Sequence, residues 1–189
     1  MTDRQIAAFD FDGTITKRDT LIPFLRKYGI SRLFLPAFST LYGKREDGWR
    51  NTLKANTLRE TFSGYPLSKF EEDGREYATS LQSLYRSETL NLISDHLHAG
   101  HELVLVSGSL ASYARPAAKA LGFSHVIAVE LSDHSGRLTG EMVGRNVRGM
   151  EKARRLRHWL GSSNTEIWAY GNSSGDKEML MMADHAKWL

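Results

Sequence analysis

Four short, continuous apolar runs punctuate the chain, at residues 6–9, 103–106, 126–129 and 167–170. Each is too short for an independent helix, and none alternates apolar with polar as a half-solvated strand does. Runs of this kind, separated by helical stretches, predict strands buried on both faces of a parallel sheet. The stretches between them agree. Residues 110–121 read as a helix stopped by Gly122, and 151–160 as another stopped by Gly161, each glycine standing where a helix C-terminus favours one. Residues 131–147 hold Ser135-Gly136 and Gly140 between short mixed runs, the pattern of a small hairpin. The second half of the chain thus predicts an α/β fold.

Residues 15–90 follow a different rhythm. They hold no strand-like run, and their apolar positions recur at helical spacing: Leu21, Phe24, Leu25 and Tyr28; Leu53, Leu58 and Phe62; Phe70, Tyr77, Leu81, Leu84 and Tyr85. Turn signals at Gly29, Gly43, Gly48 and Gly64-Tyr65-Pro66 divide the stretch into about four helices. The expected organisation is a sheet core of residues 1–14 and 91–189, with residues 15–90 as a helical insert after the first strand.

Polar groups cluster where the apolar runs end. Asp10 and Asp12 follow the first run, Ser107-Gly108-Ser109 the second, and Gly171-Asn172-Ser173-Ser174-Gly175-Asp176 the last. Open α/β sheets bind ligands in the crevice beyond the carboxyl ends of their strands, so three motifs at three such ends predict one site. Side chains two apart on a strand can share a face, so Asp10 and Asp12 form an oxygen-rich pair that suits magnesium; the plainer reading is two aspartates opening a turn. Ser107 with the amides of Gly108 and Ser109, just before a helix, suits an anion, and also suits an ordinary helix cap. Lys152, early in its helix, can neutralise phosphate or stand solvated. Asp176 can join a metal site in the same crevice or cap a helix.

Composition narrows the field. The 189 residues carry a formal net charge of +3, with 41% hydrophobic and 25% charged residues, ordinary values for a folded globular chain. There is no cysteine, which excludes disulfides, thiolate metal sites and cysteine nucleophiles and is compatible with a reducing cytoplasm. Basic residues gather only at Arg145, Arg148, Lys152, Arg154, Arg155 and Arg157. A solvated helix face, or a field attracting an anionic substrate, is expected of them rather than nucleic-acid binding. No run approaches the ~20 apolar residues of a bilayer span. The nearest, residues 33–42, reads as a buried helix face, with an apolar patch touching membrane as the alternative. Trp188-Leu189 follows soon after the last expected helix, so either the domain is minimal or a tail is missing. No sequence signal fixes an oligomeric state.

Taken in order, Asp10-Phe11-Asp12-Gly13-Thr14, Val106-Ser107-Gly108-Ser109, Lys152 on its helix, and Gly171-Asn172-Ser173-Ser174-Gly175-Asp176 resemble the haloacid dehalogenase superfamily. The branch they resemble is the phosphoserine-phosphatase-like one (subclass IB). The resemblance spans nearly the whole chain. It implies a Rossmann-like parallel sheet with a small helical cap after the first strand, and hydrolysis of a small phosphomonoester such as phosphoserine or histidinol phosphate. It further implies Asp10 as nucleophile and Asp12 as general acid and base. Ser107, Gly108 and Lys152 hold the phosphoryl oxygens, with Arg148 within a helical turn as a substitute for Lys152. Magnesium is held by Asp10, the backbone carbonyl of Asp12, Asn172 and Asp176. Asp19 lies where phosphoserine phosphatases meet the substrate amine, and equally where a cap for the helix behind it belongs. One departure stands out: Asn172 occupies a position where the family usually has aspartate, which predicts a weaker magnesium site. It also motivates two rivals, a catalytically impaired phosphate-binding protein and a phosphotransferase.

Overall fold

The computed structural model describes residues 4–29 and 47–189; the apolar run at 33–42 lies outside the described residues. In chain order the elements are β1 (Arg4–Phe9), α1 (Leu21–Arg26), α2 (Asp47–Phe62), α3 (Leu67–Ser80), α4 (Ser87–His98), β2 (Glu102–Leu110), α5 (Ala111–Ala120) and β3 (His125–Val129). They continue with β4 (Leu131–His134), β5 (Arg137–Met142), α6 (Met150–Leu160), β6 (Thr165–Gly171), α7 (Lys177–Met181) and β7 (His185–Trp188).

Five strands form one parallel sheet in the order β3-β2-β1-β6-β7. β1 lies at its centre, and Ile6, Ala7, Ala8 and Phe9 are fully buried, as expected of a strand covered on both faces. All four apolar runs lie in strands of this sheet. β7 was not foreseen, because its four residues are exposed and carry no apolar run; it pairs with β6 through the backbone, with His185 stacked on Trp168 and hydrogen-bonded to Glu166. β2 also runs farther than expected. It continues through Ser107, Gly108 and Ser109 to Leu110, with a register shift against β3 between Val106 and Leu110, and α5 starts one residue later. β4 and β5 make the expected hairpin. Ser135 and Gly136 at its tip both have positive φ, 52° and 75°, the backbone a two-residue hairpin turn requires.

The helices of the insert stack over the end of the sheet where the polar motifs lie. Its two connections to the core run side by side: the amide of Lys17 donates to Leu84 O (2.8 Å), that of Arg86 donates to Ile15 O (2.9 Å), and Thr16 bridges Tyr85. The sequence-based boundary at residue 90 therefore falls inside α4, a helix that packs on β2. Two further contacts fix the insert. Residues 64–67 pair with the hairpin through Gly64 N–Leu138 O, Leu138 N–Tyr65 O and Leu67 N–Gly136 O, at 2.8, 2.8 and 2.9 Å. α3 crosses α5 so closely that a Cβ on Gly74 would stand 2.4 Å from the carbonyl oxygen of Ser112.

Between these anchors lies an aromatic cluster of Phe24, Tyr28, Phe62, Phe70 and Tyr77, joined to Tyr113 of α5. Buried Asp73 ties the cluster's edge together by accepting from Lys27 Nζ (2.9 Å), Tyr28 Oη (2.8 Å) and Tyr65 Oη (2.8 Å). Burial pushes the Asp73 carboxyl up, and these three hydrogen bonds outweigh it, holding the pKa at about 2. Among the described residues no helix is long and apolar enough to cross a membrane.

Candidate active site

Asp10 stands one residue beyond β1, and its amide extends the ladder by donating to Tyr170 O at 2.9 Å. Its side chain is buried. Oδ1 accepts from Lys152 Nζ at 2.5 Å and Oδ2 from Thr14 Oγ1 at 3.0 Å. Lys152, in the first turn of α6, also donates to Asp176 Oδ1 at 2.6 Å. The other oxygen of Asp176 is taken by its own loop: Oδ2 accepts from the amides of Asn172 (3.2 Å) and Ser173 (2.9 Å) and from Ser173 Oγ (2.8 Å). Ser173 and Asp176 thereby cap the short turn 174–176 reciprocally. Lys152 reaches Asp10, and Arg148 NH2 donates to Ser174 Oγ at 3.1 Å.

One ammonium is thus shared by two buried carboxylates. Burial pushes Asp10 up, Lys152 pulls it down and the charge of Asp176 pushes it up again, with a raised pKa as the outcome. For Asp176, burial is outweighed by Lys152 and by the bonds from Ser173, so its pKa is lowered. Burial works against the Lys152 charge, but Asp10 and Asp176 more than restore it. With all three groups ionised, Asp10, Asp176 and Lys152 carry one net negative charge, which a phosphate dianion deepens.

The turn after Asp10 is wound on Phe11 O, which accepts from the amides of Thr14, Ile15 and Thr16 at 3.3, 2.9 and 3.0 Å. Gly13 sits in this turn at φ +83°, and a Cβ there would lie 2.1 Å from Asn172 Nδ2. Only glycine both adopts that backbone and leaves room for the Asn172 amide. Thr14 Oγ1, which donates to Asp10, also lies 3.4 Å from Asn172 Oδ1.

Asp12 takes a different direction from Asp10. Its Oδ1 accepts from the amide and hydroxyl of Thr20 at 2.8 and 2.6 Å, and its Oδ2 from Ser109 Oγ at 2.5 Å. Removal from water and the nearby charge of Asp19 push the carboxyl up, the bonds from Ser109 and Thr20 pull it down, and it settles at about 7. A carboxyl poised there gives and takes a proton at neutral pH. Asp19 itself accepts from the amide of Ile22 at 3.0 Å, so it caps α1 while its charge acts on the site.

Ser107 is buried, and its Oγ accepts from the amide of Ser109 at 3.1 Å. Gly108 beside it brings in a residue that sequence reading missed. Lys54 of α2 reaches down from the insert, donating to Gly108 O and, at 2.8 Å, to Asn146 Oδ1. Asn146 is held in turn by Asn51 at 2.9 Å. Lys54 is buried, and the loss of water pulls its pKa down to about 8 although Asp12 and Asp19 pull the other way. A signal was available: Lys54, Leu58 and Phe62 recur every four residues, so the lysine stands in the apolar stripe of its helix. The basic cluster of α6 is largely consumed at home. Arg154 and Arg155 both pair with Glu151, and Arg155 also donates to the carbonyls of Val143 and Arg145.

The donor set suits a hard cation. Among the described residues no three His, Asp or Glu side chains cluster for a metal. Here two carboxylates, Asp10 and Asp176, meet the carboxamide of Asn172 beside a turn of backbone carbonyls. Oxygen donors with few protein ligands are what magnesium takes, and the missing positive charge is what a divalent ion provides.

A family model for haloacid dehalogenase-like hydrolases matches residues 7–181. The chain is 32% identical to the protein CicA of Caulobacter vibrioides over 188 residues, covering 95% of this chain and 83% of that one. It is 23% identical to a phosphoserine phosphatase of Archaeoglobus fulgidus, covering 96% of this chain and 51% of the relative. Among solved structures, a protein of unknown function from Bordetella pertussis Tohama I superposes with a TM-score of 0.80 at 19% identity, covering 97% and 88% of the two chains. A phosphoserine phosphatase captured as a phospho-aspartyl intermediate analogue gives 0.73 at 18% identity, covering 97% and 85%. Fold and motif order agree with the match along nearly the whole chain, and the protein belongs to the haloacid dehalogenase-like hydrolase family.

Proposed function

We propose that this protein is a magnesium-dependent phosphatase acting on a small phosphomonoester through an aspartyl-phosphate (acyl phosphate) intermediate on Asp10. The observation that carries the reading is the pairing of Asp10, bound to Lys152, with Asp12, a neighbouring carboxyl held near neutrality by its surroundings. The first is a nucleophile beside a fixed cation; the second is a proton donor two residues away.

In this reading Asp10 attacks phosphorus as the ester P–O bond breaks, and Asp12 gives its proton to the departing alcohol oxygen. A water then attacks the phosphorus and leaves its proton on Asp12. The Asp10–phosphorus bond breaks, inorganic phosphate departs, and both carboxyls return to their starting state. Lys152, the Ser107 hydroxyl and the amide of Gly108 hold the phosphoryl oxygens. Magnesium, held by Asp10, Asn172 and the carbonyl of Asp12, would supply charge stabilisation for the transferring group. Asp176 completes this donor set and also orients Lys152 and the 172–176 loop.

Residues 15–90 act as the cap over this centre. Lys54 and Asp19 bring opposite charges near Asp12, an arrangement that suits a substrate carrying both an acidic group and an amine, as phosphoserine does. A phosphoserine phosphatase is among the relatives named above, and phosphoserine and histidinol phosphate head the substrates to try. The consumed basic cluster supports a small substrate rather than a nucleic acid, and the cysteine-free chain suits the cytoplasm.

The test is turnover of a generic aryl phosphate with magnesium, followed by a panel of small phosphate esters. Wild-type turnover, abolished in Asp10→Asn, supports the reading. Phosphate binding without turnover would establish the impaired binding protein instead. Transfer of phosphate to an added alcohol in preference to water would establish a phosphotransferase.

A further inference from the structure

The mechanism just given uses the Asp12 carboxyl but not the residues that enclose it. Four hydroxyl-bearing residues from four parts of the fold do so. Thr20, at the start of α1, supplies an amide and a hydroxyl to Oδ1. Ser109, near the end of β2, supplies a hydroxyl to Oδ2. Behind Thr20, the Tyr113 hydroxyl of α5 lies 3.3 Å from its Oγ1, and Tyr77 of α3 donates to its carbonyl at 2.9 Å. Thr20, Ser109 and Tyr113 are fully buried.

The two carboxyl oxygens are therefore unequal. Oδ1 receives two donors, which occupy both of its lone-pair directions. Oδ2 receives one and keeps the other direction open. An anchored oxygen beside an open one fixes where a transferable proton sits and which way it points. The anchors also come from both sides of the active-site cleft. Thr20 and Tyr77 belong to the insert, whereas Ser109 and Tyr113 belong to the sheet core. Neither half alone holds the carboxyl in place.

Building on the phosphatase reading, we propose that Ser109 and Thr20 are positioning residues for proton transfer. They fix Asp12 through Oδ1 and present Oδ2 to the leaving oxygen, and Tyr113 and Tyr77 brace Thr20.

The experiment uses the full-length protein with magnesium and two substrates, an alkyl phosphate, whose alcohol needs a proton to leave, and p-nitrophenyl phosphate, whose phenolate leaves unaided. The quantity read is kcat/KM, which reports phosphorylation of Asp10, with thermal unfolding of every variant alongside. Ser109→Ala and Thr20→Val are each expected to lower kcat/KM at least tenfold more for the alkyl ester than for the nitrophenyl ester, given the ~10²–10⁴-fold typical of a positioned acid. Thr20→Ser, which keeps the hydroxyl, restores the alkyl activity. Tyr113→Phe shows the same split in smaller measure. Equal losses on both esters, or none on either, would overturn the positioning role while leaving the phosphatase reading intact. A wild-type protein inactive on both esters would overturn the two together. If Ser109→Ala does not fold, the Thr20→Val and Thr20→Ser pair decides.

Discussion

Replacing Asn172 by aspartate tests the charge balance of the centre with almost no change in shape. The amide oxygen lies 3.4 Å from the Thr14 hydroxyl that also donates to Asp10 at 3.0 Å, so a carboxylate placed there faces the same small volume. That volume already holds Asp10 and Asp176 against the single charge of Lys152. A full negative charge ~4 Å from a divalent ion gains about 8 kcal/mol of gross attraction at an effective dielectric of ~20. Desolvation of the new carboxylate and loss of the amide dipole offset most of this. A net gain of roughly 1.4–3 kcal/mol remains, a tenfold to hundredfold tightening of magnesium binding. Metal-free Asn172→Asp is expected to unfold at a lower temperature than the wild type, since the added charge has no partner. Saturating magnesium is expected to raise its Tm by about 3–6 °C more than it raises that of the wild type. Magnesium titrations of turnover and of thermal unfolding measure both effects. Equal half-saturation in the two proteins would refute the reasoning and remove Asn172 from the metal site.

Three further outcomes are expected. Asp73 has a folded pKa of about 2 against 3.8 for the free group. The depressed value means that its contribution, about 2 kcal/mol, is present above pH ~4 and lost as pH falls towards 2; Asp73→Asn should flatten this acid limb in urea unfolding followed by circular dichroism. Gly74→Ala drives a Cβ to 2.4 Å from the Ser112 carbonyl oxygen, so overpacking of about 1–3 kcal/mol is expected, read as a lower urea midpoint; an unchanged midpoint would show that α3 and α5 separate freely. Lys54→Met keeps the buried stem and removes the charge at Gly108 and Asn146. For a phosphate ester whose alcohol part carries an acidic group KM should rise about tenfold or more, whereas an ester of an uncharged alcohol should show a much smaller change.

The sheet was legible because a strand buried on both faces writes itself as an unbroken apolar run, and 6–9, 103–106, 126–129 and 167–170 all do so. The site was legible for a related reason. Parallel strands deliver whatever follows them to one edge, so Asp10 and Asp176, 166 positions apart, share the ammonium of Lys152. β7 escaped because an exposed edge strand leaves no apolar signature. The continuation of β2 through Ser107–Ser109 escaped because Ser and Gly read as a turn when only local chemistry is weighed. Lys54 escaped for another reason: its place in the apolar stripe of α2 signals burial, but where the helix carries it depends on packing against the hairpin. The separate directions of Asp10 and Asp12 were hidden too, since the chain leaves strand geometry after Phe9 and the two-residue period lapses.

The position of β1 in the middle of the sheet has a consequence for durability. A backbone hydrogen-bonded to neighbours on either side is released last, so amide exchange in Ile6–Asp10 should proceed only through global opening. The proposed phosphate acceptor would then ride on the slowest-exchanging part of the molecule, whereas the insert is tied to the core by a handful of backbone hydrogen bonds. Inactivation by mild heat should begin with the insert, before the strand that carries Asp10 gives way.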